Sequence, residues 1–123
     1  MTPEEQFAAH LEAGEVRFQR CGACGTLRSI PRAVCHHCLS RDTHWEPAPA
    51  EGVVVSFIVA HEAIATDVEA PYTVVHADFG DAVRFTANLV GDGPPAAVGT
   101  SVRFVIAQRD GRPLAQLTRA GPR

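Results

Sequence analysis

Four cysteines constrain this chain more than any other feature. They form two pairs, Cys21 with Cys24 and Cys35 with Cys38, and the chain has no other cysteine. Each pair has two residues between its cysteines, so one short loop can direct two sulfurs toward a common point, and two such loops supply a tetrahedron. The spacing therefore predicts a closed, structural Zn²⁺ site with Cys21, Cys24, Cys35 and Cys38 as ligands.

Other uses of the cysteines fit less well, although one alternative metal stays open. Two disulfides require an oxidising compartment, and a thioredoxin-type redox site has one such pair between a strand and a helix, not two in tandem. Iron remains an alternative, because a tetrahedral four-sulfur site serves zinc or iron. His36 and His37 lie inside the second pair and are alternative ligands.

The residues that follow the two pairs differ in backbone preference. Gly25 follows Cys24, at a position where such a loop often needs a positive φ, which glycine adopts without strain. Leu39 holds the equivalent place after Cys38, where we expect it to be less favourable.

Composition indicates a small protein without a membrane span. A chain of 123 residues forms one or two small domains, and a hydrophobic share of 46% is ordinary for a folded protein. No run of 18 apolar residues is present. The sequence opens with an acidic segment and shows no signal peptide, so we expect a cytoplasmic protein.

Charge argues against general nucleic-acid binding and against lysine chemistry. The formal net charge is −3, whereas nucleic-acid-binding domains carry a basic excess. All 11 basic residues are arginine, which excludes a lysine Schiff base or a lysine general base. Five arginines surround the cysteine pairs without an intervening Asp or Glu: Arg17, Arg20, Arg28, Arg32 and Arg41. We expect them to bind a phosphorylated cofactor, RNA or an acidic protein face, or to form a solvated surface.

A capped helix is predicted over residues 2–13. Thr2 and Glu5 form a Thr-x-x-Glu capping box, and Gly14 is a suitable stop. Phe7 and Leu11 lie four residues apart and form one narrow apolar stripe, which is too small to stabilise an isolated helix. The helix must therefore dock on this chain, on a partner or on a second copy, and we expect partner binding through Phe7 and Leu11.

The chain divides into a docking helix (1–14), a zinc ribbon (15–46) and a β domain (51–120). The ribbon has few apolar residues, so we expect the metal to supply folding free energy on the order of 10 kcal/mol. We expect Trp45 to pack in the seam between ribbon and β domain. Residues 46–50 read as a stiff proline-containing linker.

The β domain shows five strand-like segments, at 53–59, 72–78, 83–89, 102–108 and 114–118. Residues 83–89 alternate between apolar and polar side chains, as in a half-buried strand. Turn signals occur at Gly80-Asp81 and at Asp110-Gly111. The region 91–99 interrupts the pattern after the third strand, which matches an OB-fold barrel. An SH3-like barrel or an open sandwich fits nearly as well.

These motifs together resemble a known family over essentially the whole chain. The order is a capped helix, Phe18-Gln-Arg-Cys21, the second cysteine pair preceded by Pro31-Arg32, then Ala70-Pro71-Tyr72 and Asn88-Leu89-Val90. This resembles the zinc-ribbon plus OB-fold family associated with acyl-CoA enzymes, long catalogued as a domain of unknown function. The chain departs from that pattern at His36, where proline is common, and at Leu39, where glycine is common.

The resemblance implies a mainly β protein: an N-terminal helix, a rubredoxin-like zinc ribbon and a five-stranded OB-fold barrel. It also implies a non-catalytic accessory subunit in a hetero-oligomer. The partners would be thiolase-like enzymes, aldolases or hot-dog hydratases of lipid, steroid or polyketide pathways, with the acyl-CoA at or near the interface. The arginines would then meet CoA phosphates or the partner.

The residues themselves are in keeping with a non-catalytic role. No serine lies in a nucleophile-elbow context, and the cysteines are assigned to metal. The neighbouring His61 and Glu62, and His76 near Asp78, are the acid–base candidates, and they are more simply structural or exposed. A single-stranded nucleic-acid module remains the main alternative, and a hydrolase or thioesterase a third.

Overall fold

The computed structural model describes residues 1–61, 71–81 and 83–120. In these residues, one helix precedes eight strands. Their bounds are α1 (Pro3–Glu12), β1 (Arg17–Cys21), β2 (Leu27–Arg28), β3 (Thr43–Pro47), β4 (Glu51–Ala60), β5 (Tyr72–Asp78), β6 (Arg84–Val90), β7 (Ser101–Arg109) and β8 (Arg112–Arg119).

Two sheets are formed. Strands β2, β1 and β3 form a three-stranded antiparallel sheet, and the last five strands close a barrel in the order β4-β5-β6-β8-β7. Only β6 and β8 pair in parallel in the described residues, and β4 closes the barrel on β7. This order confirms the expected OB fold.

The helix begins as the sequence predicts. The Thr2 hydroxyl accepts from the Glu5 backbone N–H and the Glu5 carboxylate accepts from the Thr2 N–H, which completes the capping box. The helix spans Pro3–Glu12 with Ala13 as its C-cap, and Gly14 then takes a φ of +84°. The predicted bounds of 2–13 are therefore correct to within one residue at each end.

The helix packs on this chain. Leu11 is 5% exposed, and α1 contacts β1 and β8. The Trp45 ring lies 6.3 Å from the Phe7 ring, and its Nε1–H donates to the Gln6 side-chain oxygen at 3.1 Å. The expectation that Trp45 fills the ribbon–barrel seam is thus wrong, because its ring packs on the helix.

Docking on this chain, one of the three alternatives, is therefore what the structure shows for α1. Leu11 is buried and is not available as a free partner surface. Contact of Phe7 with a partner stays a prediction.

The segment between ribbon and barrel is shorter than predicted. Glu46 and Pro47 belong to β3, where they pair with Phe18 and Arg17. The Ala48 N–H then donates to the Val16 carbonyl at 2.9 Å. The predicted linker of residues 46–50 is wrong in its first half, because strand pairing with β1 continues through Pro47.

Strand positions follow the sequence pattern closely: each strand end lies within two residues of its predicted position, and β6 is shifted by one residue toward the C-terminus. At the β7–β8 hairpin, Asp110 and Gly111 both have positive φ, 53° and 74°, as a two-residue primed turn requires. The described part of the chain contains no helix long and apolar enough to cross a membrane.

One hydrophobic core crosses from ribbon to barrel. Phe18 of β1 is 0% exposed, and its ring centroid lies 5.8 Å from Phe104, 6.0 Å from Phe85 and 6.4 Å from Phe79. Leu27 of β2 belongs to the same cluster of buried residues. The ribbon is therefore anchored by apolar packing as well as by its cysteines, which the sparse apolar content of residues 15–46 did not reveal.

Candidate metal centre and its surroundings

The four cysteines converge as the sequence predicts. All four Sγ atoms lie within 4.8 Å of one another. The Cys21–Cys38 sulfur separation is 3.6 Å and the Cys24–Cys35 separation is 3.7 Å. A tetrahedral site with metal–sulfur bonds of about 2.3 Å has sulfur–sulfur edges of about 3.8 Å. These two separations match that geometry, and all four sulfurs lie close enough to bind one metal ion.

Backbone amides support the sulfurs. The N–H groups of Ala23 and Cys24 each donate to the Cys21 sulfur at 3.4 Å, and the His37 N–H donates to the Cys35 sulfur at 3.4 Å. Such donors stabilise thiolates and orient them toward a common point. Cys21 and Cys35 are buried, whereas Cys24 and Cys38 are exposed.

The two loops close with the same backbone geometry. The Gly25 N–H donates to the Cys21 carbonyl at 3.0 Å, and the Leu39 N–H donates to the Cys35 carbonyl at 2.9 Å. Gly25 has a φ of 79° and Leu39 a φ of 66°. The second loop thus holds a leucine in the left-handed region that the first loop gives to glycine, as expected from the sequence.

Three of the thiols are poised to ionise. Backbone N–H donors within their own loops lower the pKa of Cys21 and of Cys35. A contact of 3.1 Å between the Cys24 sulfur and the Thr26 hydroxyl lowers the pKa of Cys24 to about 7. These groups favour the thiolate form that a metal ligand requires.

The fourth thiol behaves in the opposite way. The Ser40 backbone N–H lowers the pKa of Cys38, but local desolvation of its sulfur and the three neighbouring sulfurs outweigh that effect and raise the pKa to about 12. A fourth thiolate among three others needs a compensating cation. In the described residues, the cluster contains the four sulfurs and neither His36 nor His37.

Arg20 connects ribbon and barrel. Its guanidinium donates to Glu46 of β3 at 2.8 and 3.0 Å, to Asp81 of the β5–β6 turn at 2.8 Å and to the Gly25 carbonyl at 2.9 Å. The hydrogen bond from Arg20 lowers the pKa of Glu46, and the two carboxylates raise the pKa of Arg20. This arginine is committed to contacts within the chain.

Arg28 is also an internal residue. It is 3% exposed, and its Nη2 donates to the Thr43 hydroxyl at 2.8 Å and to the Gln19 side-chain oxygen at 3.3 Å. Gln19, 2% exposed, also accepts from the Arg32 backbone N–H at 2.7 Å and donates to the Arg32 carbonyl at 3.1 Å. Gln19 therefore ties the segment before the second cysteine pair to β1, a role that no sequence motif indicated.

The five ribbon arginines therefore have different surroundings. Arg17 is half-buried and pairs with Glu15 at 2.7 Å, whereas Arg32 and Arg41 are exposed. Because Arg20 and Arg28 are engaged within the chain, the exposed members are the better candidates for contact with a ligand or a partner.

A cleft of about 630 Å³ lies between the ribbon and the barrel. Arg28, Arg32 and Arg84 lie on its walls, and Asp81, which is paired with Arg20, is the acidic residue among the lining residues. The remaining lining residues come from the two cysteine loops, the segment that joins them and the start of β6: Cys24, Gly25, Thr26, Leu27, Ser29, Ile30, His36, His37 and Val83. We call it the positive cleft because three arginines and one aspartate line it, although Arg84 is also 3.8 Å from Asp78 and the Cys24 sulfur belongs to the lining.

The acid–base candidates do not form a reactive group in the described residues. The His76 ring nitrogen Nδ1 lies 2.6 Å from the Thr86 hydroxyl on the neighbouring strand, a cross-strand contact. Glu62 lies outside the described residues. Neither observation supplies an activated nucleophile.

Comparison with known families matches both modules. Residues 8–44 match the model described as "ChsH2, rubredoxin-like zinc ribbon domain", and residues 45–107 match "ChsH2, C-terminal OB-fold domain".

One curated relative, the "Probable enoyl-CoA hydratase alpha subunit" of Thermomonospora curvata, is 42% identical over 77 residues. This match covers 63% of the present chain and 24% of the relative, so the chain spans about a quarter of that relative's length.

Two solved structures share the fold. A chain of the "Ltp2-ChsH2(DUF35) aldolase" superposes with a TM-score of 0.85 at 30% identity, over 97% of this chain and 95% of that one. A DUF35-family protein of unknown function from Sulfolobus solfataricus superposes with a TM-score of 0.65 at 16% identity, over 94% and 83% of the two chains. The two family matches lie on the ribbon and on the barrel that the structure joins through one core, and the chain belongs to the ChsH2 zinc-ribbon and OB-fold family.

Proposed function

We propose that this protein is a non-catalytic accessory subunit of an acyl-CoA-processing enzyme. The observation that carries this proposal is the match, over nearly the whole of both chains, to a chain solved as part of a two-component aldolase. The curated relative is named as a hydratase subunit, which supports an acyl-CoA thioester as the substrate class of the partner. The partner is accordingly a thiolase-like enzyme, an aldolase or a hydratase, and the assembly is a hetero-oligomer.

The chemistry of the chain supports an accessory role. Four sulfurs close the coordination shell of one ion and leave no position for substrate or for an activated water. The described residues present no nucleophile with an adjacent base. We therefore assign the chemical step to the partner. This chain would stabilise the partner's fold or its substrate site.

The metal is proposed to be zinc. Sulfur separations of 3.6 and 3.7 Å and backbone N–H donors suit a closed thiolate site that needs no redox function. Iron would occupy the same four ligands and would give the protein a visible absorption spectrum, so the two ions are easily distinguished in purified protein.

The positive cleft is the proposed location for the phosphate end of the CoA thioester. Arg32 of the ribbon and Arg84 of the barrel are both exposed and both line the cleft, and guanidinium groups bind phosphate oxygens in a bidentate manner. Replacing both with alanine should raise the KM of the partner enzyme for its CoA thioester with a smaller effect on kcat. Arg41→Ala, at an exposed arginine that does not line the cleft, is the matched control.

The accessory role is tested by co-expression with the neighbouring gene, which the proposal expects to encode an acyl-CoA enzyme. We expect a stable complex on size-exclusion chromatography and a higher activity or solubility of the enzyme in the thioester assay. Turnover by the purified chain alone would refute the accessory role. Salt-dependent binding to single-stranded RNA or DNA, without affinity for the enzyme, would favour the nucleic-acid alternative.

A further inference from the structure

Strand β4 has a backbone edge that is only partly paired. It pairs with β5 along residues 53–60, but with β7 only at residues 51–53. Beyond these, the Val54 N–H donates to the Thr100 carbonyl and the Gly99 N–H donates to the Val54 carbonyl. From residue 55 to residue 60, no strand in the described part of the chain pairs with this edge.

The same half of β4 carries exposed apolar side chains. Phe57 is 38% exposed, Ile58 64% and Val59 44%. Successive side chains of a strand point to opposite faces, so both faces of this segment are exposed. Val54 is the member of β4 in the hydrophobic core cluster. Residues 55–60 therefore extend beyond the core, and packing in that core does not explain why they are apolar.

This edge lacks the features that normally protect an open strand. Residues 53–60 read VVVSFIVA, with no charge and no proline. Exposed edges are usually blocked by charged side chains, proline or a covering element, since an uncharged β-branched segment pairs readily with other chains. The composition is that of a strand that is covered in the functional assembly.

We propose that residues 55–60 bind an extended apolar strand of the acyl-CoA enzyme, which adds to the open edge of β4. This inference rests on the proposed function and identifies the surface through which the partner docks. Backbone hydrogen bonds along the edge would give affinity, and apolar contacts with Phe57, Ile58 and Val59 would fix the register.

The available area favours a large partner over a second copy of this chain. Five exposed apolar side chains lie on β4 and the adjoining loop, namely Val53, Phe57, Ile58, Val59 and Val98. At about 100 Å² of apolar area for each side chain, roughly half of it exposed, they supply on the order of 250 Å². A stable interface buries about 800 Å² per partner. A dimer built on this edge alone falls short, whereas an enzyme that adds a strand also contacts the surface around it.

The surface lies away from the metal centre. Val53 pairs with Asp78, next to the β5–β6 turn that Arg20 joins to the ribbon, whereas Ala60 pairs with Tyr72 at the opposite end of both strands. Changes at residues 57–59 therefore leave the cysteine loops and the positive cleft intact. This separation supplies a matched control on the ribbon, since Leu39 is 76% exposed and does not line the positive cleft, and Ile58 is 64% exposed.

The test compares Ile58→Lys with Leu39→Lys in complexes with an acyl-CoA enzyme found to co-purify with the wild-type chain. We expect Ile58→Lys to raise the Kd at least about 30-fold, the loss typical of an interface hot spot, with an unchanged melting temperature. Leu39→Lys, at an exposed ribbon side chain outside the cleft, should bind like wild type. Val59→Lys is the second variant, used if Ile58→Lys lowers the melting temperature.

Hydrogen exchange then identifies the mode of contact. Amides of residues 55–60 should become protected in the wild-type complex, because strand addition engages their backbone. Unchanged exchange there, or wild-type affinity of Ile58→Lys and Val59→Lys, would overturn the proposal while leaving the accessory role intact. A wild-type chain that binds no such enzyme would instead contradict the proposed function. A homodimer abolished by Ile58→Lys would assign the edge to a second copy and also overturn the proposal.

Discussion

Replacement of Phe18 by alanine is the sharpest test of how this protein is held together. Phe18 belongs to the ribbon strand β1 but is 0% exposed among three barrel phenylalanines, with ring centroids 5.8–6.4 Å away. A buried Phe→Ala change costs about 3–5 kcal/mol through lost burial and a residual cavity. For a chain of 123 residues the whole free energy of unfolding is about 6–18 kcal/mol. Phe18→Ala should therefore remove a large fraction of the stability.

Trp45 makes the assay selective. It is the single tryptophan and packs on α1, so its fluorescence reports the helix and ribbon, whereas far-UV circular dichroism reports mainly the barrel strands. In guanidinium chloride, the two wild-type unfolding curves should coincide, because one core joins the modules. Phe18→Ala should lower both midpoints and shift the melting temperature by about 10–20 °C.

Two control variants show whether the stability loss of Phe18→Ala comes from the shared core. Phe18→Leu keeps most of the apolar volume and should cost distinctly less than Phe18→Ala. Ile58→Ala, at an exposed site on β4, should stay within about 0.5 kcal/mol of wild type. If Phe18→Ala behaves like Ile58→Ala, or if the two wild-type curves separate, then ribbon and barrel are independent modules and the shared-core reasoning is wrong.

Three further predictions concern the metal, the inter-module contact and the loop backbone. Protein purified without added metal should contain about one zinc per chain by elemental analysis, and a metal-free protein with an ordered ribbon would contradict the assignment. Arg20→Met should cost about 1–2 kcal/mol at pH 7 in urea unfolding, against less than about 0.5 for Arg32→Met, because three acceptors lose a charged donor. The hydrogen bond from Arg20 lowers the pKa of Glu46 in the folded protein. The stabilisation that comes from Glu46 is therefore fully present above the ordinary carboxyl pKa, and it is lost as the pH falls through the lowered pKa of the folded state. Leu39→Gly should raise the free energy of unfolding by up to about 1 kcal/mol, and Gly25→Leu should lower it, because both positions have positive φ. Thermal melts measure both changes. A lower melting temperature for Leu39→Gly would show that side-chain contacts of Leu39 outweigh its backbone strain.

Local signals allowed much of this structure to be predicted. Cysteine spacing, the capping box and the two glycine turns each depend on a few adjacent residues, and the sulfur cluster, the start of α1 and the barrel hairpins match expectation. Apolar runs and alternation predicted the five barrel strands, whereas their OB-fold order came from the interruption after the third strand together with the family resemblance. The positive φ of Leu39 follows from equivalence with Gly25, because both loops must close around the same sulfur geometry.

Contacts between distant segments were not predictable in the same way. Phe18 lies in a short ribbon strand, and nothing in its neighbours indicates that its ring packs among barrel phenylalanines 61 or more residues later in the chain. Arg28 was expected on a surface with the other arginines, yet Gln19 and Thr43 hydrogen-bond its buried guanidinium. A charged residue is buried only when such partners converge, and that convergence is a property of the assembled sheet.

The packing of Phe18 and the contacts of Arg20 together bear on how a chain without catalytic groups can serve an enzyme. The four cysteine sulfurs bring the two cysteine loops together, Arg20 joins the first loop to the barrel turn, and Phe18 joins the ribbon sheet to the barrel core. The positive cleft and the first half of β4 are therefore connected through one continuous core, and the open β4 edge extends from it at the end away from the cleft. An enzyme docked on that edge would find the cleft at a fixed distance and orientation, which is the condition for positioning a CoA thioester without performing the reaction. Phe18→Ala, which loosens the core, should then raise the KM of the partner enzyme for its CoA thioester, although the docking strand and the cleft arginines are unchanged.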